Sequence, residues 1–150
     1  MLRRVLIPVD FSSASAEALA VARQYCPGGV KRLLHVIQPK DLAQSNSGSP
    51  IHAKDSRRAM EEQVLEKLRT WALDDDEVAF AVGSPADAIM KEAEEWEADL
   101  IVMGTRGRSS LANFLSGSAT EYLVRHARLP ILGVHDVPID SATACQLPPK

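Results

Sequence analysis

The sequence predicts an α/β fold, one domain built on a mainly parallel β-sheet. Short apolar runs alternate along the chain with segments whose apolar residues recur at helical spacing. The first run, RVLIPVD, is apolar throughout rather than alternating, as in a strand buried on both faces. A length of 150 residues, 45% hydrophobic and 25% charged, suits one domain with its own core.

The first strand is Arg4 to Asp10, ending in a polar turn. Behind Ser12 and Ser13, which can cap a helix, Ala14, Ala18, Leu19, Val21, Ala22 and Tyr25 fall on one helical face, and Pro27-Gly28-Gly29 stops the element. KRLLHVI, Lys31 to Ile37, is the second strand. The polar segment QPKDLAQSNSGSP, 38 to 50, is read as lacking fixed structure and as too short to separate domains. Met60, Val64, Leu68, Trp71 and Ala72 predict a longer helix from about 52 to 72, ended by Asp74, Asp75 and Asp76.

EVAFAV, Glu77 to Val82, is the third strand. A helix follows with Ser84 as N-cap, Pro85 at its first position and Asp87 at the capping-box position; Ala86, Ile89, Met90, Ala93 and Trp96 form its buried face. DLIVM, Asp99 to Met103, is the fourth strand, a helix spans about 118 to 126, and LPILGV supplies the fifth strand. The domain is expected to occupy 1–135, with 136–150 as a proline-containing C-terminal tail.

Composition narrows the function. A net charge of −3 argues against a nucleic-acid binder of the usual kind, whose surface is strongly basic, and leaves room for a local basic patch. No apolar run approaches the roughly 18 residues of a membrane span. Nor does the start resemble a secretory leader, so a cytoplasmic location with no membrane partner is expected. Cys26 and Cys145 read as reduced thiols. His35, His52, His126 and His135 lack metal-ligand spacing, so no metal-binding histidine is expected. The absence of GxSxG removes the serine-hydrolase elbow, and the acidic run from Glu92 to Asp99 reads as a solvated helix face.

The chemistry concentrates in GTRGRSSLANFLSGSATE, 104 to 121, between the fourth strand and the last helix. In open parallel sheets ligands gather at the carboxyl ends of the strands. Gly104 and Gly107 would allow a sharp turn with positive φ and close approach to a ligand. Gly117 and Ser118 open a helix whose free N–H groups suit an anion; Thr120 adds a hydroxyl one turn inward, and Arg106 and Arg108 add charge, together fitting a di- or triphosphate. The same residues also fit a plain connector with a capped helix. Neither GxGxxG nor GxxxxGK[ST] occurs. Asp10 can accept from ribose hydroxyls or cap the turn that follows it.

The spacing Gly104-x2-Gly107-x9-Gly117-Ser118 resembles the nucleotide-binding signature of the universal stress protein family. VLIPVDFS, LLHVI, GSPADAI, ADLIVMGTRGRS and GSATEYLVRHARLPILGV resemble that family's blocks in the same order, over roughly residues 3 to 135. The resemblance implies an open five-stranded parallel sheet in order 3-2-1-4-5, helices on both faces, of the adenine nucleotide alpha hydrolase-like kind. It implies ATP, or ADP or AMP, as ligand, with Mg2+ held mostly by phosphates and water. Pro8, Val9, Asp10 and Val36 would then meet the nucleoside. Met103, Gly104, Arg106, Gly107, Arg108, Gly117, Ser118, Ala119 and Thr120 would line the phosphate path. The expected role is a nucleotide-dependent stress regulator or sensor with at most slow hydrolysis, not an enzyme proper, dimeric through its last strand and acting on an unidentified protein partner. The alternatives are a ligand-free interaction module or an adenylating enzyme, against which the glycine-free DFSSAS after strand one speaks. Gly133 is expected to weaken the last strand as an edge.

Overall fold

The computed structural model describes residues 2–45, 50–105 and 117–134. Five parallel strands, β1 (Arg4–Pro8), β2 (Val30–Ile37), β3 (Glu77–Val82), β4 (Leu100–Gly104) and β5 (Ile131–Val134), form one sheet in the order β3-β2-β1-β4-β5. That is the order the family resemblance implies. The helices are α1 (Ser13–Tyr25), α2 (Pro39–Ser45), α3 (Pro50–Trp71), α4 (Pro85–Glu95) and α5 (Gly117–His126).

Alternate residues of the inner strands feed two cores, as the two-residue period of a strand requires. Val5, Ile7, Leu33 and Val102 pack with Ala18, Leu19 and Ala22 of α1 and Leu68 of α3. On the other face Leu6, Leu34, Val36, Ile101 and Met103 pack with Ile89 and Ala93 of α4 and Leu123 of α5. Helices therefore cover both faces. The strands of the middle, β1 and β4, are buried through nearly all their residues.

One expectation about the elements is overturned. The segment read as lacking fixed structure contains α2. Its first residue, Pro39, needs no N–H bond, Asp41 accepts from the Gln38 N–H at 3.3 Å, and Lys, Leu, Ala and Gln are good helix formers. A seven-residue helix is too short to display a period, so its polarity alone was visible. The next helix, α3, starts at Pro50 rather than near 52.

Ser12 caps α1 as expected, its hydroxyl accepting from the Ser15 N–H. Ser84 takes the N-cap position of α4 with extended backbone but makes no side-chain cap bond. Two arginines cross-link the layers. Arg23 donates to the Trp71 carbonyl and to Asp76, both at 2.8 Å, tying α1 to the end of α3. Arg32 bonds Glu77 of β3 and Glu92 of α4 while lying 4.4 Å over the Trp96 ring. Gly133 sits in β5 opposite Met103, where a Cβ would come within 2.8 Å of the Thr105 methyl. The expected tail, 136–150, with Cys145, lies outside the described residues, as does His135. Among the described residues no helix is long and apolar enough to cross a membrane.

Candidate functional site

The site is built where the chain leaves β1. Pairing of β1 with β2 ends at Pro8, but the Val9 N–H still donates to the Leu34 carbonyl at 2.8 Å. Two residues later Phe11 adopts φ 62°, a left-handed conformation that costs a side-chain-bearing residue energy and turns the chain into the cap of α1. Asp10 lies between these fixed points.

The Asp10 carboxylate divides its work. Oδ1 accepts from the Ser12 N–H at 3.0 Å, from the Ser15 hydroxyl at 3.0 Å and from the Ser12 hydroxyl. Oδ2 is buried and has no hydrogen-bond partner among the described residues. Of the two roles open to Asp10 in the sequence, the structure shows the turn-capping one at Oδ1, while Oδ2 is an acceptor with no donor among the described residues. A buried carboxyl oxygen left so is costly, and such groups mark ligand or water positions.

On β2, the Leu34 carbonyl faces β1, whereas the Ile37 carbonyl accepts from Gly83 on the β3 side at 3.0 Å. By the alternation of a strand, the peptide groups of Val36 face the β1 side, past the last β1 pairing. The Val36 side chain is buried in the core. His35, between them, donates through Nδ1 to the Val9 carbonyl at 2.7 Å, since a carbonyl can only accept. Burial pulls its pKa below the ordinary 6.5; the bond to Val9 and the charges of Asp10 and Asp41 oppose that, and Lys67 adds to it. The ring is neutral at pH 7. It packs 4.9 Å from the Phe11 ring, whose other neighbours are Trp71, edge-on at 5.5 Å, and the Lys67 ammonium at 4.3 Å.

At the end of β4, Met103 is fully buried and Gly104 departs from expectation. Its φ is not positive; Gly83 is the glycine with positive φ among the described residues. Glycine is required at 104 because a Cβ there would lie 2.7 Å from the Ala14 Cβ and 2.8 Å from the Ala14 carbonyl carbon. The space serves close packing of the first turn of α1 on β4. Thr105 then donates its N–H to the Val134 carbonyl at 2.9 Å. Arg106, Gly107 and Arg108 lie outside the described residues.

Because α5 leads from the end of β4 to the start of parallel β5, its N-terminus lies at the carboxyl end of the sheet, the end that also carries Asp10 and the cap of α1. Gly117 and Ser118 open that helix as expected, followed by half-buried Ala119 and Thr120. The Thr120 hydroxyl oxygen is buried and, like Asp10 Oδ2, has no partner among the described residues.

The structure thus assembles Pro8, Val9, Asp10, Val36, Met103, Gly104 and the start of α5 at one end of the sheet. Sequence reasoning missed the supporting residues Ser15, Phe11 and His35. The hydroxyls at two and five residues beyond Asp10 were the available signal for the first; nothing local marks the other two.

Residues 1–135 match the Universal stress protein family. A universal stress protein of Thermus aquaticus is 31% identical over 137 residues, covering 88% of this chain and 98% of the relative. The solved structure of MJ0577, a universal stress protein of Methanocaldococcus jannaschii, superposes with a TM-score of 0.73 at 26% identity, over 93% of this chain and 99% of that one. The same fold recurs in a universal stress protein solved in complex with cAMP, at TM-score 0.60, 24% identity and coverage of 91% and 99%. It recurs again in a family protein from Arabidopsis thaliana with AMP bound, at TM-score 0.61, 18% identity and coverage of 91% and 93%. From the strand order and from the match over 1–135, this chain belongs to the universal stress protein family.

Proposed function

We propose that this protein is a cytoplasmic adenine-nucleotide-binding regulator of the stress response, with ATP as its principal ligand. The observation that carries the reading is the pair of buried oxygens, Asp10 Oδ2 and Thr120 Oγ1, that have no hydrogen-bond partner among the described residues, at the two places where the sequence calls for ligand contacts. Their chemistry fits the two halves of a nucleotide. A carboxylate oxygen accepts from ribose hydroxyls, and a hydroxyl in the first turn of a helix donates to phosphate beside a positive helix end. Two proteins of this fold hold cAMP and AMP, which agrees with an adenine nucleotide as the class of ligand.

In this reading Pro8, Val9, Asp10 and Val36 hold the nucleoside. Gly117, Ser118, Ala119 and Thr120, with Arg106, Gly107 and Arg108, hold the phosphates past Met103 and Gly104. Mg2+ travels with ATP on phosphate and water ligands and neutralises phosphate charge. Regulation is favoured over catalysis because the candidate bases are engaged elsewhere. Asp10 Oδ1 receives three donors, and the neutral His35 ring is committed through Nδ1 to Val9. Any ATP turnover is slow. A homodimer forms through β5, which among the described residues pairs on one side only and leaves Leu132 39% exposed.

Calorimetric titration of wild type and Gly117→Val with ATP tests the nucleotide claim. Wild type is expected to bind, and the valine variant to lose at least about tenfold in affinity through obstruction of the helix N-terminus. Equal binding by both removes the glycine stretch from the site.

A further inference from the structure

We propose that His35 is a positioning residue for the nucleoside half of the site, bracing the residues on either side of Asp10 so that the free carboxylate oxygen keeps its aim. The inference rests on the nucleotide-binding reading above.

The geometry is a three-point clamp. Val9 is fixed at its N–H by the Leu34 carbonyl at 2.8 Å and at its carbonyl by His35 Nδ1 at 2.7 Å, so consecutive residues of β2 hold both of its peptide groups. Beyond Asp10, Phe11 sits at φ 62°, a conformation that persists only where packing over-determines it. The His35 ring supplies part of that packing at 4.9 Å, beside Trp71, Lys67 and the adjoining core. One imidazole therefore touches the residue before Asp10 and the residue after it. It makes this contact as a donor, which requires the proton on Nδ1.

The charged groups facing the ring come from each element packed around it: Asp10 after β1, Asp41 of α2 and Lys67 of α3. Burial outweighs the two carboxylates and keeps the ring neutral while Nδ1–H donates to Val9.

The test uses two amides of matched chemistry. Asparagine places its side-chain N–H where histidine carries Nδ1, whereas glutamine places it nearer Nε2 and overshoots the Val9 carbonyl. The full chain as wild type, His35→Asn and His35→Gln is titrated with ATP and with AMP, and thermal unfolding confirms that each is folded. His35→Asn keeps the donor to Val9 but not the ring against Phe11, and is expected to bind about threefold more weakly than wild type. His35→Gln should bind about tenfold more weakly, as loss of one well-placed hydrogen bond allows, and by the same factor for both nucleotides. Equal affinity of the two variants, or a loss confined to ATP, overturns the positioning role. A wild type that binds neither nucleotide instead overturns the reading of function on which this role rests.

Discussion

Gly104 stands against Ala14, with room for no side chain: a Cβ at 104 would sit 2.7 Å from the Ala14 Cβ and 2.9 Å from its carbonyl oxygen. Backbone atoms of a helix cannot yield cheaply. Gly104→Ala is therefore expected to cost about 1–3 kcal/mol, the usual range for overpacking, read as a lowered urea midpoint. An unchanged midpoint would show that α1 can move off β4.

Thr120 offers the opposite sign. Its hydroxyl oxygen is buried without a partner among the described residues, so the isosteric Thr120→Val removes an unsatisfied polar atom and leaves the shape. The nucleotide-free protein should be as stable as wild type or more stable by up to about 1 kcal/mol, while ATP affinity falls. Unchanged affinity would take the hydroxyl out of the phosphate path.

Asp76 holds a different end of the molecule. Its side chain is 5% exposed, it pairs with Arg23 at 2.8 Å, and it accepts from the Leu73 N–H at 2.9 Å. Arg23 Nε is already buried without a partner among the described residues. Asp76→Ala leaves the guanidinium short of its charge partner and should destabilise by about 3 kcal/mol, seen in chemical denaturation. A loss below about 1 kcal/mol would mean that water replaces the carboxylate.

Acid should weaken the fold in two separate steps. The His35 value in the folded chain lies below 6.5, because burial disfavours the charged ring. Between that value and 6.5 the unfolded chain binds more protons. The contribution is complete above 6.5 and lost as pH falls towards the folded value, with a slope of at most about 1.4 kcal/mol per pH unit. Asp99 is held below 3.8 by the N–H groups of Arg4 and Arg3, so its contribution is present above 3.8 and lost as pH falls further. Urea midpoints measured from pH 7.5 to 5 should fall for wild type and stay level for His35→Asn. A parallel fall in both would assign the upper step to another group.

These particulars show what a sequence can and cannot disclose. Strands and long helices announce themselves because burial imposes a period, and Leu19, Leu68, Ile89 and Leu123 all lie in the core. The cap at Ser12 was readable because its bonds span three residues. By contrast, His35 reaches a carbonyl 26 positions away, and Phe11 meets Trp71 across 60 positions of chain. Contacts of that kind are fixed by the sheet order, and no local pattern encodes them. Gly104 illustrates a subtler gap: the residue type was informative, but its reason was a neighbouring helix rather than a turn.

The divided carboxylate of Asp10 restricts how this position can change over generations. Substitution by asparagine turns one acceptor oxygen into a donor, which must then confront either the Ser12 N–H or the space beside the second oxygen. A shorter or apolar residue abandons both. Either change disturbs the start of α1 together with the proposed ligand contact, so on the nucleotide-binding reading specificity is expected to evolve through neighbours with Asp10 held fixed.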